Sequence, residues 1–247
     1  MKQCRIKVSW LWIPFLFCCV HQSLWKTMGF LFVFLSVHET AHILMAYCFH
    51  YPIRKVILYP FGLCALIDSL GYQSGIKDAL ILMAGPASQL LEPFLLKLFL
   101  MAGMISQSYY EYLCMMNLSI MIFNLLPIYP LDGGRMIELL LELVFPYLFA
   151  GKLTNICSMI LIVLLYAYHL FAGISGLAVC ILLFMENIMA FQKRAYQRAK
   201  LYEYRRLHPS HYPIRMNKGH DFYRFSTNIM HKENQWMTEQ DWLRYFT

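Results

Sequence analysis

Charged residues are scarce in this sequence. Asp, Glu, Lys and Arg together make up 14% of the 247 residues, whereas hydrophobic residues make up 59%. The mean hydropathy is +0.48. Soluble globular domains carry about 25% charged residues, so this composition excludes that class and indicates a polytopic membrane protein. The length leaves room for about six helices of about 20 residues each.

The sequence also lacks C-x-x-C spacing, internal repeats and low-complexity tracts. None of the eight cysteines forms a C-x-x-C pair, so they predict neither a zinc ribbon nor a redox motif, and we interpret them as reduced apolar residues. The basic N-terminal region leads into an apolar run without a clear small-residue cleavage site. We interpret this run as a first membrane helix rather than a signal peptide.

Three ionisable residues lie close together inside one apolar run. The segment His38-Glu39-Thr40-Ala41-His42 lies within residues 28–49, a run long enough to cross a bilayer. On a helix, histidines at i and i+4 share one face, which is the spacing that places two imidazole nitrogens on one zinc ion. Ionisable residues at mid-membrane cost about 3 kcal/mol or more each and usually mark function. The alternative is a chance meeting of two core histidines and a glutamate.

Residues 51–72 break the helical pattern. Pro52 ends the preceding helix, and the run 54–67 contains strand-type residues around the turn Pro60-Phe61-Gly62. We predict a short β-hairpin or re-entrant segment at or just inside the membrane. An edge strand beside a catalytic metal would bind an extended polypeptide by strand addition. A packed loop is the alternative.

A second break follows the fourth predicted helix. The run 124–135 contains two prolines and two glycines, which forbid a regular helix, and a helix is expected to resume at about Arg135. Broken helices at membrane depth occur where backbone lines a cavity. We therefore predict that Asp132 is aimed into such a cavity as a third metal ligand. Its alternative role is that of a helix N-cap.

These residues together predict a catalytic zinc site. Ligation by His38, His42 and Asp132 leaves a fourth position open for water, which distinguishes catalytic from structural zinc. Zinc lowers the pKa of such a water toward 7, and Glu39 would act as general base and then as acid toward a leaving amine. Asn124 is a candidate for stabilising an oxyanion or binding the substrate backbone. A helix–helix hydrogen bond is the alternative for Asn124.

The overall fold class is therefore an all-α polytopic membrane protein, with a hairpin after helix 2 and a broken helix 4 that carries the third ligand. The six spans are expected at about 8–25, 28–49, 76–104, 112–126, 153–171 and 173–191. Residues 1–191 form the membrane core, and residues 192–247 form a basic tail. The positive charge is concentrated at the two ends of the chain. The positive-inside rule therefore places both termini in the cytoplasm and explains this charge better than nucleic-acid binding does.

The two motifs resemble those of a known family. His38-Glu39-x-x-His42 in a membrane helix, followed much later by Asn124-x-x-Pro127-x-x-Pro130-Leu131-Asp132-Gly133, is similar to the site-2 protease family of intramembrane zinc metalloproteases. Three further stretches look most like its stage IV sporulation protein FB branch: Leu58-Tyr59-Pro60-Phe61-Gly62, Ala84-Gly85-Pro86 and the run 116–134. The resemblance covers roughly residues 8–191.

The resemblance implies a six-helix core that cleaves proteins within or near the bilayer. His38, His42 and Asp132 would be the zinc ligands, and Glu39 the catalytic acid and base. The branch removes the pro-sequence of a sigma factor, pro-sigma-K, in the mother-cell membrane around the forespore, and small membrane proteins hold it in check. Its members usually carry a nucleotide-binding CBS domain. The tail 192–247 has room for at most a reduced version of one, or for a contact in a homo-oligomer.

Three other functional hypotheses are alternatives to a protease. A catalytically silent scaffold of the same fold would not need Glu39 and all three ligands. A metal transporter tends to spread its ligands along several helices and often shows internal repeats. A soluble-type metalloprotease anchored to the membrane would not surround His38 and His42 with apolar residues.

Overall fold

Helices dominate the part of the chain that the computed structural model describes, namely residues 5–8, 25–59, 62–67, 70–171, 173–219, 221–232 and 235–244. The chain divides into two units, Met1–Leu125 and Leu126–Thr247. Within these described ranges, four helical segments are long and apolar enough to cross a membrane: Lys26–Cys48, Gly75–Met101, Tyr147–Ala167 and Gly173–Leu207. The structure therefore supports a multi-span membrane protein, and the number six stays a prediction.

The first unit consists of four helices and one three-stranded sheet among the described residues. The strands are β1 (Arg5–Val8), β2 (Ile53–Tyr59) and β3 (Gly62–Ile67), and the helices are α1 (Trp25–Cys48), α2 (Gly75–Gln89), α3 (Glu92–Met101) and α4 (Gln107–Asn124). Strand β2 is parallel to β1 and antiparallel to β3. The antiparallel pair lies where the hairpin was predicted, and its position in the membrane stays a prediction. Most of the predicted first helix, residues 9–24, lies outside the described residues.

Local signals explain several helix ends in this unit. Helix α1 ends as His50 adopts a left-handed conformation (φ 62°) and the Tyr51 N–H donates to the Ala46 carbonyl at 2.9 Å, a common helix C-cap arrangement. Helix α4 begins after Ser106, whose hydroxyl accepts from the Tyr109 N–H at 3.3 Å. The α1, α3 and α4 helices share a small core of Phe34, Leu96 and Leu113.

The third predicted helix, 76–104, differs from the structure because it is broken at Leu90 and Leu91. Pro93 is the second residue of α3 and has no N–H, so it cannot donate to the Gln89 carbonyl four residues earlier. The chain therefore restarts as a separate helix. Pro86, by contrast, lies inside α2.

The second unit contains the remaining helices and a second sheet. The helices are α5 (Asp132–Val144), α6 (Tyr147–Ala167), α7 (Gly173–Leu207) and α8 (Glu239–Arg244), and the strands are β4 (Ile214–Asn217), β5 (Thr227–Lys232) and β6 (Gln235–Thr238). Strand β5 is parallel to β4 and antiparallel to β6. The predicted all-α class included only one short hairpin after helix 2, so strand β1 and the second sheet are corrections to it. The strands are short, and most of them do not alternate regularly between apolar and polar residues, so the sequence did not reveal them.

The segment after residue 207 has a core of its own. Phe222, Met230, Trp242 and Leu243 pack with Tyr202 near the end of α7. Asp221 also accepts from the Leu148 N–H at 2.7 Å, which provides a cap for the start of α6. Burial raises the pKa of this carboxyl. Helix α7 continues without interruption to Leu207, and the division at residue 191 stays a prediction.

Candidate metal centre

His38 and His42 lie one turn apart on α1 and turn their rings toward each other. Their Nε2 atoms are 3.0 Å apart, and both side chains are buried, with 4% and 7% exposure. The rings meet edge to face at 79°. Two nitrogens on one tetrahedral zinc, each at about 2.0–2.1 Å, lie roughly 3.3 Å apart. The predicted spacing therefore brings two nitrogens to nearly the separation that a shared zinc requires.

The other nitrogen of each ring contacts an oxygen on α2. His42 Nδ1 donates to the Ile81 carbonyl at 2.6 Å, and His38 Nδ1 donates to Gln89 Oε1 at 3.1 Å. A backbone carbonyl only accepts, so His42 must carry its hydrogen on Nδ1. In the neutral rings, the lone pairs therefore lie on the two Nε2 atoms that face each other. Two lone pairs at this distance repel unless a cation or an added proton lies between them, so the pair fits a metal ion.

Gly85 provides the space around these nitrogens. A Cβ at this position would lie 2.3 Å from His42 Nε2 and 2.6 Å from His38 Nε2. Any side chain would therefore collide with the two Nε2 atoms. In the sequence, Ala84-Gly85-Pro86 was noted only for its resemblance to the family, and the structure shows that its glycine leaves room for the two histidine rings.

Gln89 is itself held by a residue of α4. Asn117 Nδ2 donates to the Gln89 carbonyl at 2.8 Å, the acceptor that Pro93 cannot serve. Gln89 and Asn117 are both buried. A line of hydrogen bonds thus runs from α4 through the end of α2 to His38. Sequence reasoning missed Gln89, because nothing local relates it to a histidine 51 positions earlier.

Glu39 and Asn124 are less enclosed than the histidines. Glu39 is a partly buried residue of α1, directly after His38, and Asn124 is the last residue of α4 and is also partly buried. The Asn124 side chain makes no hydrogen bond with the described residues, so the structure gives no helix–helix bond for it. The roles assigned to both residues stay predictions.

Asp132 lies in the second unit, at the start of α5. It is the first helical residue, and Leu131 occupies the N-cap position without a side-chain cap. The alternative role of Asp132 as N-cap is therefore wrong. The helix also begins three residues before the predicted Arg135, because Gly133 and Gly134 form part of its first turn. An aspartate in the first turn of a helix is favoured by the helix dipole.

Glu92 is a second buried acid of the first unit. Its side chain is 3% exposed, and its two carboxylate oxygens have no hydrogen-bond partner among the described residues. It begins α3, three residues after Gln89. No contact among the described residues joins Glu92 to the histidine pair.

Comparison with known proteins supports the resemblance drawn from the motifs. Residues 99–168 match the model of Peptidase family M50. This range includes Asn124 and Asp132 but not the histidine pair. Stage IV sporulation protein FB of Bacillus subtilis is 31% identical over 140 residues, which is 56% of this chain and 49% of that protein. These matches confirm the predicted resemblance to Peptidase family M50.

Two further similarities come from an archaeon, Methanocaldococcus jannaschii. One of its zinc metalloproteases is 30% identical over 154 residues, which is 60% of this chain and 44% of that protein. This chain spans about half the length of the curated relatives it matches. The solved structure of a site-2 protease from the same organism aligns with a TM-score of 0.50 at 22% identity, covering 79% of this chain and 92% of that one. That likeness supports the fold.

Proposed function

We propose that this chain belongs to peptidase family M50 and acts as an intramembrane zinc metalloprotease of the site-2 type. The observation that carries the proposal is the pair of buried histidines. Their Nε2 atoms face each other at 3.0 Å while oxygens of α2 hold both Nδ1 atoms. This arrangement fits a bound cation, and the family match supplies the chemical context.

His38, His42 and Asp132 are the residues that would hold the zinc. Two imidazoles and one carboxylate form a donor set typical of catalytic zinc, with a position left for water. When bound, zinc supplies Lewis acidity that polarises a peptide carbonyl and makes water acidic. The assignment of Asp132 rests on the motif and on its place in the first turn of α5.

Glu39 is the proposed proton carrier. It takes the proton from the attacking water and returns it to the leaving amine, which needs a carboxylate within reach of both. Glu39 follows His38 by one residue and precedes His42 by three, so it lies beside the helix face that carries the two histidines. Asn124 is proposed to hold the substrate backbone or to donate to the developing oxyanion, since its side chain makes no bond with the described residues.

The proposed substrate is a membrane-associated pro-protein. The similarity to a stage IV sporulation protein favours a pro-sigma-factor of the pro-sigma-K type, processed during sporulation in the mother-cell membrane. Strand β3 pairs only with β2 among the described strands, so its other edge offers backbone groups to an extended substrate. Small membrane proteins are the proposed regulators, and both termini are proposed to face the cytoplasm.

Zinc content and proteolysis, measured together, test this proposal. Detergent-purified wild type and Glu39→Gln are offered a membrane-tethered pro-sigma-factor. We expect about one zinc per chain in both proteins and cleavage only by the wild type, because Gln cannot carry the proton. Zinc in both with no cleavage by the wild type would favour a silent scaffold or another substrate. Wild-type protein that binds no zinc would overturn the proposal and leave two hypotheses, a catalytically silent scaffold and a metal transporter.

A further inference from the structure

Tyr129 lies in the loop that precedes α5, and side chains of two other helices hold both of its peptide groups. Its N–H donates to Ser158 Oγ of α6 at 2.9 Å, and its carbonyl accepts from Asn187 Nδ2 of α7. Both side chains are fully buried. Buried backbone in an irregular segment needs such partners. The loop conformation therefore depends on Ser158 and Asn187.

Asn187 is in turn held by a chain of buried polar groups. Its Oδ1 accepts from Asn155 Nδ2 at 3.0 Å, and Asn155 Oδ1 accepts from Arg194 Nε at 2.7 Å. Arg194 also donates through both terminal nitrogens to Glu138 of α5. The side-chain amides of Asn155 and Asn187 each have only one orientation that satisfies these hydrogen bonds. The orientation of Asn187 toward the Tyr129 carbonyl follows from the charged pair at the other end.

The fold makes room for this chain of polar groups. The Arg194 guanidinium is 4.9 Å from the centre of the Tyr129 ring, which allows a cation–π contact. A Cβ on Gly151 would lie 2.8 Å from an Arg194 nitrogen. Apolar residues would usually stabilise such an interior at least as well as a buried ion pair. The polar chain is therefore better explained by the conformation that it imposes on the loop.

The loop conformation is transmitted directly to Asp132. The Leu131 N–H donates to the Ile128 carbonyl at 2.9 Å, one turn before the helix begins. A Cβ on Gly134 would lie 2.3 Å from the Tyr129 nitrogen and the Ile128 carbonyl carbon. The first turn of α5 therefore packs against the loop backbone, and a displaced Tyr129 would displace Asp132.

We propose that Asn187 and Ser158 are positioning residues, which fix the Tyr129 peptide groups so that Asp132 is presented as a metal ligand. The inference rests on the proposed function for the role of Asp132 as a zinc ligand. Neither residue was a candidate from the sequence. Asn187 follows Asp132 by 55 positions in the numbering, and only the tertiary fold relates them.

Two variants and a matched control test the inference in the full-length, detergent-purified protein. The variants are Ser158→Ala and Asn187→Leu, and the control is Ser119→Ala. Both serine hydroxyls donate to the carbonyl four residues earlier, Ser158 to Thr154 and Ser119 to Met115. Only Ser158 also accepts from Tyr129. The control therefore removes the same atom and the same local bond without touching the loop.

Zinc affinity by chelator competition and hydrogen exchange of the amides in residues 126–135 are the measurements. We expect both variants to lose roughly 10–100-fold in zinc affinity, the usual effect of removing a residue that orients a ligand. The loop amides should exchange faster, while the control matches the wild type. Wild type that binds no zinc would overturn the proposed function. Zinc-binding wild type with equally tight variants, or unchanged loop exchange, would overturn this inference alone.

Discussion

Gly85 lies where a methyl group would touch both candidate ligands. We expect Gly85→Ala to weaken zinc binding by more than about tenfold, because the new Cβ would force at least one imidazole to move away from its ligating position. Gly29→Ala is the matched control. A Cβ there meets nothing within 4 Å, and alanine stabilises a helix by about 1 kcal/mol relative to glycine. Chelator competition on both variants measures the difference, and equal affinities would contradict the assignment.

Gln89 provides a second test at the scale of one residue. Gln89→Leu removes the acceptor for His38 Nδ1, so the imidazole loses both its orientation and its fixed tautomer. We expect a loss of roughly 10–100-fold in zinc affinity. Gln107→Leu serves as the control, because Gln107 is exposed and bonds only Glu111 among the described residues. If both variants bind zinc as the wild type does, Gln89 has no orienting role.

The sequence predicts the residues of the centre that are related by local periodicity. His38 and His42 are four residues apart on one helix, so their spacing alone defines a shared face, and Glu39 is adjacent to His38 in the sequence. Gln89 and Asn117 act on that face through tertiary contacts, and a single sequence contains no signal that pairs them with a histidine. Gly85 is an intermediate case, since its motif was visible but the atoms it accommodates were not.

Helix α5 shows how one element joins the loop to the rest of its unit. Its two glutamates each form a buried ion pair, Glu138 with Arg194 and Glu142 with Arg224. Arg224 belongs to the segment after residue 207, which had been expected to be at most a small appendage. That segment therefore bears on the orientation of the helix that begins with Asp132.

The Glu142–Arg224 pair predicts a large effect of a single substitution. Arg224→Met removes the guanidinium that lies 2.5 Å from the buried Glu142 carboxylate, and breaking such a pair costs about 3–5 kcal/mol. We expect a lower midpoint of thermal unfolding and faster proteolysis after residue 207. The double variant Glu142→Leu/Arg224→Met should recover part of the loss.

An exposed pair in the same unit provides the control for this prediction. Arg244 and Asp241 are 3.7 Å apart, with side chains 80% and 51% exposed. Surface pairs contribute about 0–1 kcal/mol, so Arg244→Met should scarcely change the unfolding midpoint. Equal effects of Arg224→Met and Arg244→Met on the unfolding midpoint would mean that the buried Arg224–Glu142 pair contributes no more to stability than the exposed pair.

Boundaries set by proline or glycine in the sequence were easier to predict than strands that form only by pairing with other strands. The hairpin region, the end of α1 and the break before α5 all follow from local backbone restrictions. The restart at Glu92 was missed because the expected helix 76–104 was continued through Pro93, whose missing N–H favours a break there. The second sheet was missed because its short strands gain their stability from a core around Phe222 rather than from a repeating pattern.

At the scale of the whole molecule, charge distribution predicts how the chain crosses the membrane. Reporter fusions that respond to the side of the membrane, placed at residue 1 and after residue 247, measure this directly. We expect both reporters to be cytoplasmic, because basic residues at both ends favour that side. Since termini on one side require an even number of spans, reporters on opposite sides would exclude both the six expected helices and a four-span arrangement of the segments in the structure.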